Sequence, residues 1–276
     1  MPAVRAVPPL PPRESVAGTL LVQAGRAGMI LGALVVTGCA QQAKPSGDAG
    51  AVVAPANDEP INRKVFAFNR GVDKVVLKPV ARGYSHLPSG VRRGVRHFVW
   101  NLQEPIVFAN DLLQANFLRS LNTAGRFIVN STVGVAGIFD VAGKWGMPHH
   151  GADLGQTFGV WGIGPGHTVE LPLFGSSNVR DTVGRVLTAG LYKLGDNSDT
   201  VQTLETVRTV GGIVDGRAQA LPLTDRLETS PDYYAALRDN AAARRAKLVE
   251  EGRRGDVHAE ESPAESRAAT GLPMNP

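Results

Sequence analysis

Apolar residues recur three and four positions apart through most of the chain beyond residue 60, and that period restricts the fold more than any other feature. From Asn62 to Lys78, Val65, Phe68, Val72, Val75 and Val76 occupy one side of a helical wheel, and Arg63, Lys64, Arg70, Lys74 and Lys78 occupy the other. Pro79, without an N–H, is expected to end that helix. Val91, Val95, Phe98, Val99 and Leu102 form a second stripe. Pro105, a favoured first helical residue, is expected to open a third with Ile106, Ala109, Leu112 and Leu113; Phe117, Leu121, Ala124 and Ile128 form a fourth. Further stripes run through Val179, Val183, Val186 and Leu187 and through Val201, Leu204, Val207 and Val210. A last long helix is expected to open with Ser230 as its N-cap and Pro231 in its first turn. The spacing predicts an all-α domain of amphipathic helices.

Ahead of that domain, Arg5, Arg13 and Arg26 against Glu14 precede the apolar run Met29 to Val36, which is the order of a secretory signal. The run is too short to cross a bilayer, which takes about 20 helical residues. It leads through Thr37 and Gly38 to Cys39, the one cysteine of the chain. Small residues suit a processing site, and a thiolate is the nucleophile that accepts a lipid group. Residues 1–38 therefore read as an export signal and Cys39 as the lipidated residue; no aspartate follows it, which favours the outer membrane over retention at the inner one. Residues 39–57 carry that cysteine and an Ala, Gly and Pro rich tether. Residues 58–252 form one folded domain, and 253–276 read as a polar, disordered tail.

Without the signal, the chain holds 26 basic against 24 acidic residues, so its charge gives no reason to expect a nucleic acid. The cations are concentrated: residues 62–100 hold nine Lys or Arg and a single acid, Asp73. A basic amphipathic helix suits an anionic lipid surface, which makes Arg63, Arg70, Lys74 and Lys78 candidates to meet headgroups; the other reading is a solvated face of a soluble domain. The run from Gly155 to Gly166 (GQTFGVWGIGPG) differs in kind. Its glycines argue against a regular helix and for a shaped loop in which backbones approach closely. Phe158, Val160, Trp161 and Ile163 make the same segment apolar, with Gln156, Thr157 and His167 beside them. That mixture offers an apolar wall for acyl tails, a polar one for a headgroup, and bendable backbone at Gly162 and Gly164.

The stretches FAFNRGVDKVVLKPVARGY (66–84), NLQEPIVFANDLLQ (101–114), GRFIVNSTVGVAGIFDVA (125–142), GQTFGVWGIGPG (155–166) and LPLFGSSNVRDTVG (171–184) resemble the MlaA, or VacJ, lipoproteins from about Glu59 to Gly252. The resemblance implies an all-helical, ring-shaped domain embedded in one membrane leaflet, with a Gly-rich hairpin and a central amphipathic channel. It also implies a function: taking misplaced phospholipid from the outer membrane and passing it to a soluble, MlaC-like periplasmic carrier, in company with trimeric porins and without a cofactor. This chain departs from the family's usual pattern at Leu154, His167, Thr168 and Ser176, all near the expected channel or hairpin, and at its first helix, where Ala56-Asn57 precede Asp58-Glu59-Pro60.

Catalytic readings find little support. His149, His150 and Asp153 lack the spacing of a zinc site, and neither a G-x-S-x-G nor an H-E-x-x-H motif occurs. Asp140, Asp153, Arg180 and Asp181 read as buried ion pairs or helix caps. Two classes remain: a phospholipid conduit, and a structural lipoprotein that braces porins without transport. The apolar Gly-rich segment beside a basic face favours the conduit, since a brace needs neither.

Overall fold

The computed structural model describes residues 59–194 and 198–257. The signal, Cys39 and the tether lie outside them, as does most of the expected tail. Helix α1 (Glu59–Val72) runs through a single π-helical turn (Asp73–Leu77) into α2 (Lys78–Ser85). Pro79 does not stop the chain: in the π turn the Lys78 N–H bonds Asp73 O, five residues back, and Pro79 then falls in the first turn of α2, where no N–H is required.

The second and third expected helices are one, α3 (Ser89–Leu113), with Pro105 inside it. An interior proline costs about 3 kcal/mol. Here α3 is held on both sides of Pro105 by packing along α4 (Phe117–Thr132), through Glu104 to Arg126 and Asp111 to Arg119. A short α5 (Val141–Lys144) and α6 (Leu154–Val160) follow. Strands β1 (Thr168–Leu171) and β2 (Gly175–Asn178) pair antiparallel in a hairpin, with Thr168 opposite Asn178 and Leu171 opposite Gly175. Helices α7 (Val179–Leu194), α8 (Asp199–Leu227) and α9 (Tyr233–Arg254) complete the domain. The N-cap of α9 is Asp232, which accepts from Ala235 N at 3.1 Å, and not Ser230. A carboxylate suits that helix terminus, and Asp232 also pairs with Arg63.

The expectation that residues 155–166 avoid regular helix is corrected: residues 154–160 are helical, capped by Asp153, which accepts from Gln156 N at 2.9 Å. Gly155 and Gly159 are four apart and share a face, and the close approach expected of them is made there. A Cβ on Gly155 would meet Asp181 Cα of α7 at 2.8 Å, and one on Gly159 would meet Val249 of α9 at 2.9 Å. Close packing outweighs the modest helix penalty of glycine.

Two asparagines fasten the hairpin to α1. Asn62 donates to Thr168 O and accepts from Glu170 N, both at 3.0 Å. Asn69 donates to Leu171 O at 2.9 Å and accepts from Leu173 N at 2.7 Å. Seven residues apart, the two fall on one helical face, and each amide supplies both a donor and an acceptor to the backbone of the hairpin.

Candidate functional site

The helices are amphipathic, but the side they bury is polar. In α4, Arg119, Ser120, Thr123, Arg126 and Asn130 are buried, while Phe117, Leu118, Leu121 and Ile128 are exposed. In α3, Asn101, Glu104, Asn110 and Asp111 point inward and Leu112 and Leu113 outward. Among the described residues eight apolar side chains are buried against twenty polar or charged ones, so a solvent-excluded hydrocarbon core does not organise this domain.

Such an interior is tolerable because its charges are paired. Arg126 Nε donates to Glu104 Oε1 at 2.9 Å, and its other nitrogens reach Asp140, at 3.1 Å, and the Met147 carbonyl. Asp140 caps α5 by accepting from Gly143 N. Against the upward pull of burial, that N–H, Arg126 and Asn130 hold the Asp140 carboxylate below its usual range. Asp111 accepts from Thr123 Oγ1 at 2.8 Å and lies 2.9 Å from His150 Nε2. His149 stacks on Trp100 with centroids 4.0 Å apart and faces Glu104. The two adjacent histidines thus join separate carboxylates. Asp153 and Asp181 share Arg245, and Arg180 pairs with Asp181, so these four residues serve as caps and ion pairs. The signal for this inverted core was in the sequence, since polar residues in FLRSLNTAGRFIVN recur at helical spacing, but period alone does not say which stripe faces inward.

The structure divides the eight residues expected along a lipid path. Gln156 and Thr157 are buried, Gln156 against the Leu248 carbonyl and Thr157 between Gln114 (3.0 Å) and Asn110 (2.8 Å). Val160 packs beside Gly252 of α9, and Phe158 lies against Trp161 with ring centroids 5.8 Å apart. Trp161, Gly162, Ile163 and Gly164 sit on an exposed loop, where Gly162 takes φ +91°. The Trp161 indole N–H donates to the Leu113 carbonyl at 2.9 Å while the residue stays 54% exposed, a polar handle tied down on an outward-facing side chain. The hairpin adds Leu173 and Phe174, both exposed, at its turn.

Of the four basic candidates, Arg63 is engaged by Glu59 at 3.1 Å and Asp232 at 2.6 Å, and Lys78 by Asp225 at 2.8 Å and Glu228 at 2.9 Å. Arg70 lies over the Tyr233 ring at 5.2 Å. Lys74 is exposed and forms no ion pair or hydrogen bond among the described residues.

The MlaA lipoprotein family model matches residues 57–248. The chain belongs to the MlaA family. A Rickettsia felis protein is 36% identical over 187 residues, covering 65% of this chain and 72% of its own. The Escherichia coli K12 intermembrane phospholipid transport system lipoprotein MlaA is 32% identical over 218 residues, covering 74% and 81%. A solved chain reported under "Structural basis for maintenance of bacterial outer membrane lipid asymmetry" superposes on this MlaA-family chain with TM-score 0.62 and 30% identity, over 71% of this chain and 99% of that one.

Proposed function

We propose that this chain is an outer-membrane lipoprotein that moves phospholipid from the outer membrane toward a periplasmic carrier and so maintains lipid asymmetry. The observation that carries the reading is the inverted polarity of the domain: a paired polar interior within an exterior of exposed Leu, Ile, Val, Phe and Trp. In water such an exterior would drive association, whereas in acyl chains it is the favourable face. No described helix is long and apolar enough to cross a membrane, which fits a domain seated in one leaflet and held there by acyl chains on Cys39. The names of the relatives point the same way, since the E. coli and Shigella flexneri proteins are intermembrane phospholipid transport lipoproteins. Trimeric porins and an MlaC-like soluble carrier are the partners we assign to this role. Transport needs no covalent step, so the buried histidines serve as structural partners of Glu104 and Asp111.

The exposed loop is the proposed entry for acyl tails, with the Gln156–Thr157 turn as support behind it. Photo-crosslinkers placed singly at Phe158, Trp161 and Ile163 in cells are expected to capture phospholipid, while one at Lys247, on the solvated side of α9, is not. A bulky residue at Gly164, where no neighbour obstructs a side chain and the backbone is not left-handed, is expected to raise surface phospholipid with the protein still folded, whereas one at Gly162 would also strain its φ of +91°. Loop positions that stay lipid-free, with glycine variants of unchanged asymmetry, would remove this segment from the path.

A further inference from the structure

Arg70, Lys74, Lys78 and Arg82 recur at intervals of four along α1, the π turn and α2, and all four line one cavity of about 780 Å3. An unbroken α-helix would not hold them in one row. Four α-helical residues turn about 400°, so side chains four apart drift by roughly 40° at each step. The π turn at Asp73–Leu77 needs more residues per turn, swings the row back, and brings Lys74 and Lys78 into register with Arg70 and Arg82. The remaining wall includes Ala67, Gly71 and Pro79, which leave the cavity open between the long cationic stems.

The charge in this cavity is unbalanced. Its two carboxylates are already engaged: Asp73 by Arg217 in a bidentate pair at 2.6 and 2.8 Å, and Glu228 by Lys78 at 2.9 Å. Asp225 also pairs with Lys78 at 2.8 Å but reaches Arg82 only at 3.9 Å. Arg70 has an aromatic ring as its contact and Lys74 has no ionic partner among the described residues. We propose that this cavity is a binding site for the phosphate of a phospholipid headgroup, with Arg70 and Lys74 as its principal ligands, Arg82 at its rim, and Lys78 positioned by Asp225 and Glu228. A guanidinium and an ammonium together suit a phosphodiester, one by a planar fork and the other as a point charge. The surplus positive charge favours an anionic lipid over a zwitterionic one. That the phosphate comes from a bilayer lipid rests on the transport reading above; the anion site itself does not.

The test uses the full lipidated chain in neutral detergent, with binding of short-chain phosphatidylglycerol, short-chain phosphatidylcholine and inorganic phosphate measured by calorimetry. Phosphatidylglycerol is expected to bind more tightly than either comparator, to weaken with salt, and to lose at least tenfold in affinity in the Arg70→Gln/Lys74→Gln double variant while the thermal unfolding profile is kept. Equal binding of phosphatidylglycerol by wild type and double variant overturns the site and leaves transport standing. Inorganic phosphate bound as tightly as phosphatidylglycerol overturns the headgroup assignment. Tight, variant-sensitive phosphatidylglycerol binding by a chain that supports no lipid asymmetry in cells supports the site and removes the transport reading instead.

Discussion

Glu170 sits in β1 with 4% of its surface exposed, accepting from Asn69 Nδ2 at 3.0 Å and from Ser176 Oγ. Burial raises its pKa, and the two hydrogen bonds only partly oppose that. A carboxyl that prefers its proton when folded contributes most below its unfolded value, about 4.3, and loses that contribution as pH rises through the folded value. Glu170→Gln keeps an oxygen for Asn69 and an amide N–H for Ser176 and has no charge to bury. The variant is therefore expected to melt with wild type near pH 4 and above it at pH 7. Thermal unfolding followed by circular dichroism at both values checks this, and a difference independent of pH would show that the carboxylate is not destabilising. Ser176, a departure from the family's pattern in the sequence, thus has a definite use: its hydroxyl satisfies a buried acid.

Between elements, α6 and α7 approach backbone to backbone. A Cβ on Gly184 would lie 2.8 Å from Gly155 Cα and 3.1 Å from the Leu154 carbonyl carbon, backbone that has no rotamer with which to yield. Gly184→Ala is expected to destabilise by about 1–3 kcal/mol, the cost of overpacking. Gly190→Ala, on the same helix with nothing within 4 Å, is expected to stabilise by about 0.4–1 kcal/mol through the unfolded state. Denaturant titration of both separates packing from propensity, and equal effects would mean that the α6–α7 contact is loose. The same contact shows what was legible in the sequence. Helical period located α1, α3, α4, α7 and α8, because 3.6-residue spacing is a property of each segment alone. It could not show that Pro79 and Pro105 would be carried within continuous helix, since a π turn and a buried face of ion pairs decide that. Glycines in GQTFGV mark both a loop and a close helix crossing; the residues that distinguish them, Asp181 and Val249, lie far along the chain. Arg63 and Lys78 looked like free cations for the same reason, their partners Asp232, Asp225 and Glu228 being more than 140 residues away.

At the scale of the whole molecule, polarity is reversed relative to a domain folded in water, and the reversal makes opposite demands on the two sides of α4. Leu118 is 78% and Ile128 61% exposed on the outer side, while Arg126 and Thr123 are sealed on the inner one. If the outer side faces acyl chains, Leu118→Glu and Ile128→Glu each place a carboxylate in hydrocarbon, which costs about 2.5–3.5 kcal/mol toward the centre of a bilayer and less near its surface. The helix itself loses nothing, because glutamate is a good helix former and neither side chain supports the interior. The double variant is therefore expected to keep its helical circular dichroism in detergent and to lose most of its stable insertion into vesicles, measured by flotation and alkaline extraction. Arg126→Met should do the reverse, leaving Glu104 buried without its strongest partner, lowering thermal stability by about 3–5 kcal/mol and sparing insertion of whatever remains folded. Unchanged insertion of the doubly charged exterior would mean that this face meets water or protein, and the seat of the domain within a leaflet would have to be given up.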